Sequence, residues 1–163
     1  MFGLQVKYLS FFFGLISILS FFNIIYSYYL NLYLNLNTYY LSFIISLIIS
    51  IFFYKIKVRE KKINIYNKIL TVFFGYILLP LVLSIPFYFS IYNLTFLNSF
   101  FEAVSGFTST GFTVFENIKH IDQSLILWRS TTQWIGGLYF LFSIVLLIDI
   151  FDNNLKKSLT NFL

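Results

Sequence analysis

The chain has 163 residues, 59% of them hydrophobic and only 10% charged, where a soluble domain carries about 25% charged residues. Long apolar runs place it in a membrane, and its net charge of +5 sits in short gaps between those runs, not on one basic face, which argues against a nucleic-acid partner. With no cysteine and one histidine, His120, disulfides, thiolate chemistry and a multi-histidine metal site within the chain are excluded.

The first apolar run, from about Tyr8 to Leu30, reaches about 34 Å as a helix and can span a bilayer. It is too long for a signal-peptide core and no small-residue cleavage site follows, so it reads as a retained helix. Asn23 within it is expected to hydrogen-bond a neighbouring helix. Asn31 to Thr38 reads as a short turn, and a second span runs from about Tyr39 to Tyr54. Lys55, Lys57, Arg59, Glu60, Lys61, Lys62 and Lys68 follow; the positive-inside rule makes this loop cytoplasmic, with binding of anionic lipid or a partner as the alternative.

The third span, from about Ile69 to Ile91, contains Pro80 and Pro86, which predict a kink or an early helix end. The fourth runs from near Ser124 to near Ile150. Trp128 and Trp134 near its start suggest an aromatic belt, and Lys156 and Lys157 follow its end. Lys7, the basic loop and Lys156/Lys157 then share one side, while Lys119 and Arg129 fall on the other. The expectation is an all-α, multi-pass integral membrane protein of the cell inner (plasma) membrane with both termini cytoplasmic. It divides into two leading helices over residues 1–68 and a helix–loop–helix repeat over residues 69–163.

Between the third and fourth spans lies a stretch too short and polar to cross alone. Ser99 and Glu102 form a Ser-x-x-Glu capping box, predicting a short helix from about Phe100 to Phe107 or Thr108, anchored by Phe100, Phe101, Val104 and Phe107 at helical spacing. The C-terminal end of such a helix favours a cation. Ser109-Thr110-Gly111-Phe112 follows. Backbone carbonyls of such a turn can replace an ion's hydration shell, Gly111 supplies the dihedral freedom, and the hydroxyls of Ser109 and Thr110 are the metal-ligating candidates. The stretch therefore reads as a re-entrant pore loop entering from the outer side, where non-helical backbone is tolerated.

Arg129 is expected to brace this loop, pairing with Glu116, Asp122 or loop carbonyls; direct tuning of the ion path is the alternative. Asp149 and Asp152 read as interfacial, or as an acidic inner mouth. Gly136-Gly137 suits close helix packing. His120 and Asp122 suggest a base and its orienting carboxylate, but without a nucleophile or metal set they do not make an enzyme. On the residues alone, a cation pore and a non-transporting packing subunit both stay open.

Glu102-Ala103-Val104-Ser105-Gly106-Phe107-Thr108-Ser109-Thr110-Gly111-Phe112-Thr113, with Leu127-Trp128-Arg129-Ser130 and Gln133-Trp134-Ile135-Gly136-Gly137, resembles the first pore loop and following helix of the TrkH/KtrB superfamily of potassium transporters. The preceding two spans match the extra pair that TrkH-type members carry. The resemblance implies potassium uptake through a filter with one glycine per repeat. Gly111 matches that glycine, and the carbonyls of Ser109, Thr110, Gly111 and Phe112 would line the ion path. It implies potassium as the transported ion, no covalently bound cofactor, a dimer, and a cytoplasmic nucleotide-binding regulatory subunit of the TrkA type. The family arranges four repeats around a pore, whereas this chain ends at Leu163 after one and self-comparison finds no second Thr-Gly loop. The expectation is that other chains supply the remaining repeats or that this is a truncated or split product; four copies forming a homotetrameric channel is the alternative.

Overall fold

A computed structural model describes residues 6–56, 65–116 and 121–162. The loop residues Lys57, Arg59, Glu60, Lys61 and Lys62, together with Lys119 and His120, lie outside the described residues, as do the side chains of Asp149, Asp152, Lys156 and Lys157. The described residues form six helices: α1 (Val6–Tyr29), α2 (Leu36–Lys55), α3 (Ile65–Leu83), α4 (Ile85–Tyr88), α5 (Phe96–Phe107) and α6 (Gln123–Phe162). Four stretches are long and apolar enough to cross a membrane: Lys7–Tyr29, Leu36–Lys55, Tyr66–Tyr88 and Gln123–Ile148.

Helix α1 ends where Asn31 takes a left-handed φ of 56°. Leu32 N then donates to Ser27 O at 2.8 Å and Asn31 N to Tyr28 O at 3.3 Å, a Schellman closure with asparagine in the usual glycine position. The chain reverses, and α2 begins earlier than its apolar run alone implied. The two helices are antiparallel: Ser10 meets Ser50, Ser20 meets Ser42 and Tyr28 meets Tyr40. Ser10 Oγ donates to Ser50 O at 2.8 Å and Ser50 Oγ returns a bond to Ser10 O at 2.9 Å. Between helices in lipid there is no hydrophobic drive, so small hydroxyl residues at one-turn spacing, here Ser42, Ser46 and Ser50, let the backbones close and bond.

The prolines act as expected. Pro80 lies within α3, which ends three residues later; after Ser84 the chain resumes as α4 with Pro86 in its first turn. At this interruption Trp128 Nε1 donates to Leu83 O at 3.0 Å. Trp128 is therefore fully buried, and its expected place in an outer aromatic belt is overturned: its N–H serves the backbone at the break. Trp134 is 58% exposed.

Helix α6 continues unbroken well past the predicted end of the fourth span. It packs through Tyr139, whose ring lies 4.9 Å from Phe12, 5.1 Å from Tyr76 and 5.4 Å from Phe107. The Tyr139 hydroxyl donates to Val72 O at 3.0 Å, in space left by Gly75. At the opposite end, Asn35 Nδ2 donates to Asp122 Oδ2 at 3.2 Å, and Asn35 Oδ1 accepts from Ile91 N at 3.1 Å. Ser124 also bonds Asp122, Tyr39 bonds Ser124 at 2.9 Å, and Asn23 Nδ2 donates to Ser124 O at 3.3 Å. This polar knot staples α1 and α2 to the start of α6.

Helix α5 lies against α6 because two glycines admit it. A Cβ on Gly136 would overlap the carbonyl of Phe107, and one on Gly106 would overlap Thr132 Oγ1, whereas one on Gly137 would meet open space. Gly136→Ala is expected to cost about 1–3 kcal/mol through overpacking, read as a lower melting temperature in detergent. Gly137→Ala should stay within about 0.5 kcal/mol of the parent. Equal effects of the two would refute this reading of the packing.

Candidate functional site

The short helix α5 does not begin at the predicted capping box. Thr95 is its N-cap, with φ −62° and ψ 157°, and Thr95 Oγ1 accepts from Asn98 N at 3.3 Å. Ser99 and Glu102 lie inside the helix. Ser99 Oγ donates to Thr95 O at 3.0 Å, and the Glu102 carboxylate is drawn to partners away from the helix start. Two overlapping cap patterns lie in this stretch, and the carboxylate's other partners decide between them.

The helix ends in a second Schellman closure. Thr110 N donates to Ser105 O at 3.1 Å and Ser109 N to Gly106 O at 2.9 Å, with Ser109 at a left-handed φ of 56°. Gly111, at φ +81°, turns the chain again. Thr108 through Phe112 are exposed, and the Phe112 ring is 70% exposed. The returning limb is tied back to the helix. Glu102 Oε2 accepts from Val114 N at 3.0 Å and from Thr113 Oγ1 at 3.0 Å.

Arg129, nearly two turns into α6, completes the arrangement. Its Nε lies 2.7 Å from Glu102 Oε1, an ion pair without an aligned hydrogen bond. Its Nη2 donates to Phe112 O at 3.3 Å and reaches Gly111 O at 3.5 Å. The pairing with Glu116 or Asp122 expected from the sequence is thus replaced by Glu102, while the contact with loop carbonyls is present. Asp122 instead belongs to the polar knot. The pairing had a signal: an arginine and a glutamate in otherwise apolar stretches demand each other.

Ser105 was not singled out by the sequence. It is buried, donates to Phe112 O at 2.6 Å and lies 3.1 Å from Thr110 Oγ1. A serine in a helix carries no local mark of a partner seven residues away. Thr108 Oγ1 donates to Val104 O at 2.8 Å. Among the described residues no group of three or more His, Cys, Asp or Glu side chains forms a metal cluster. The oxygens available to an ion here are backbone carbonyls and hydroxyls.

Glu102 has no exposed surface, so loss of its cation leaves a buried charge uncompensated. Arg129→Met is expected to destabilise by about 3–5 kcal/mol, measured by thermal unfolding in detergent. Adding Glu102→Gln should recover part of the loss. A double variant no more stable than Arg129→Met would show that the two side chains are not coupled.

Residues 35–160 match the TrkH family, described as cation transport proteins. The chain is 29% identical over 90 residues to an uncharacterized cation transporter of Methanocaldococcus jannaschii, covering 54% of this chain and 19% of that protein. It is 42% identical over 60 residues to the Trk system potassium uptake protein TrkI of Halomonas elongata, covering 37% and 11%. It is 44% identical over 46 residues to the Trk system potassium uptake protein TrkG of Escherichia coli, covering 28% and 10%. The matched part is thus 10 to 19% of these relatives' lengths. No solved structure matches. The family is one of membrane transporters and not of enzymes. Four membrane-length helices, the helix–turn between the last two and a family match over most of the sequence agree: the chain belongs to the TrkH family of cation transport proteins.

Proposed function

We propose that this chain supplies one pore repeat for potassium uptake across the plasma membrane, with the turn at Ser109, Thr110, Gly111 and Phe112 as one quarter of the selectivity filter. One observation carries the reading: an exposed turn at the C-terminal end of a short helix, between two membrane-length helices, is held from behind by the ion pair of a buried Glu102 with a half-buried Arg129. An exposed polar turn in a bundle of this kind is tolerated only where protein or water surrounds it. The helix end and its carbonyls favour a cation. Potassium as the ion rests on relatives that are named as potassium uptake proteins.

In this reading other repeats, from further polypeptide or other chains, complete the ring, because one turn cannot enclose an ion. Both termini are cytoplasmic, the pore loop enters from outside, and a nucleotide-binding regulatory subunit of the TrkA type docks on the inner face of a dimer. A packing subunit remains the second reading, and it makes the Gly111 turn dispensable.

Gly111 has φ +81°, where an L side chain costs about 1–2 kcal/mol. Gly111→Asp adds a charge to that strain. With the chain expressed from its own locus in a host lacking other potassium uptake, this variant is expected to lower rubidium uptake at least about tenfold, a loss of about 1.4 kcal/mol of transition-state stabilisation. Uptake unchanged at normal membrane abundance would remove the filter reading.

A further inference from the structure

The carbonyls of the turn fall into two sets. Phe112 O accepts from Ser105 Oγ at 2.6 Å and from Arg129 Nη2 at 3.3 Å, and Gly111 O lies 3.5 Å from the same nitrogen. A carbonyl oxygen has two lone pairs, so that of Phe112 is fully used by groups of α5 and α6, whereas Gly111 O, with one long contact, keeps a lone pair open. Among the described residues no donor reaches the carbonyls of Thr108, Ser109 or Thr110.

The hydroxyl protons can be counted in the same way, because each hydroxyl has one. Ser105 gives its proton to Phe112 O at 2.6 Å, and Thr108 gives its own to Val104 O at 2.8 Å. Neither is left for Thr110. Thr110 Oγ1 therefore donates, toward Ser105 Oγ at 3.1 Å, Ser105 O at 3.2 Å or Thr108 Oγ1 at 3.3 Å, and no donor occupies its lone pairs. It is an oxygen with open acceptor capacity on an exposed turn.

We infer that Ser105 is a positioning residue for cation selectivity: its hydroxyl turns the Phe112 carbonyl away from the ion path and orients Thr110. The carbonyls of Thr108, Ser109, Thr110 and Gly111, with the Thr110 hydroxyl oxygen, are then this chain's ligands for a dehydrated monovalent cation. The inference rests on the filter reading above and changes its ligand set. Phe112, expected from the sequence as a carbonyl ligand, becomes the anchored end of the turn, and Thr108 joins the ligands. A filter's preference among monovalent cations depends on which oxygens face the ion and how many. Ser105 supplies one of the two donors that hold the anchored end.

The test uses Ser105→Ala and Ser105→Cys, with the chain expressed from its own locus in a host lacking other potassium uptake. Rubidium uptake, sodium uptake and membrane abundance are measured together. Loss of one hydrogen bond should lower the rubidium-over-sodium preference about three- to tenfold, with abundance near the parent's. A purely structural role would lower abundance and both uptakes together, leaving the preference unmoved, and would overturn the inference. Cysteine, close in volume and a weak donor, decides the matter if alanine prevents membrane insertion. If both variants keep the parental preference while Gly111→Asp abolishes uptake, Ser105 has no such role and the filter reading stands. If Gly111→Asp is also silent, both ideas fall.

Discussion

Glu102 is a carboxylate with no surface in water, inside a bundle whose helices are built for lipid. A charge in that position is costly unless it is paired and its remaining lone pairs are bonded. Arg129 supplies the countercharge, and Thr113 and Val114 supply the hydrogen bonds. Three segments distant in the chain are therefore locked by one group: the middle of α5, the limb returning from the turn, and the start of α6. The guanidinium is also committed to the turn itself, through the carbonyls of Gly111 and Phe112. The shape of the exposed turn thus depends on a carboxylate that never reaches its surface.

The rest of the bundle supports that pair by close backbone approach. In lipid, apolar side chains gain nothing by leaving one hydrocarbon for another, so packing and hydrogen bonds must hold helices together. Gly136 lets α6 touch the last carbonyl of α5, Gly106 accepts Thr132, and Gly75 accepts the Tyr139 hydroxyl. The leading pair, α1 and α2, is joined by reciprocal Ser10–Ser50 bonds. It is fastened to the repeat through Asn23, Asn35 and Tyr39 around Asp122 and Ser124. The same Asp122 lies just before α6, so the knot fixes the end of the helix that carries Arg129.

Much of this architecture was legible in the residues. The spans followed from the length of apolar runs, the interruption near Ser84 from Pro80 and Pro86, and the interhelical bond of Asn23 from an amide in an apolar helix. What failed did so for identifiable reasons. Ser99-x-x-Glu102 is a sound capping pattern, yet Thr95 lies one turn earlier and takes the cap, while Arg129 claims the carboxylate. Trp128 near a helix start resembles an interfacial anchor, but its N–H is needed at Leu83. Ser105 carried no signal, because a helical serine looks the same whether it bonds its own helix or a loop.

By itself the sequence determined the number of membrane-length helices, the place of the short helix between the last two, and a glycine where the turn needs positive φ. These are local properties: hydrophobic length, proline and glycine dihedral limits are written in neighbouring residues. Only the tertiary structure decided which polar groups meet. Glu102 with Arg129, Ser105 with Phe112, and Asn35 with Asp122 join residues on different elements. Each depends on the direction in which a side chain leaves its helix once the helices are packed. A buried polar group must find some partner, and the sequence states that demand, but the partner's identity is a property of the assembled fold.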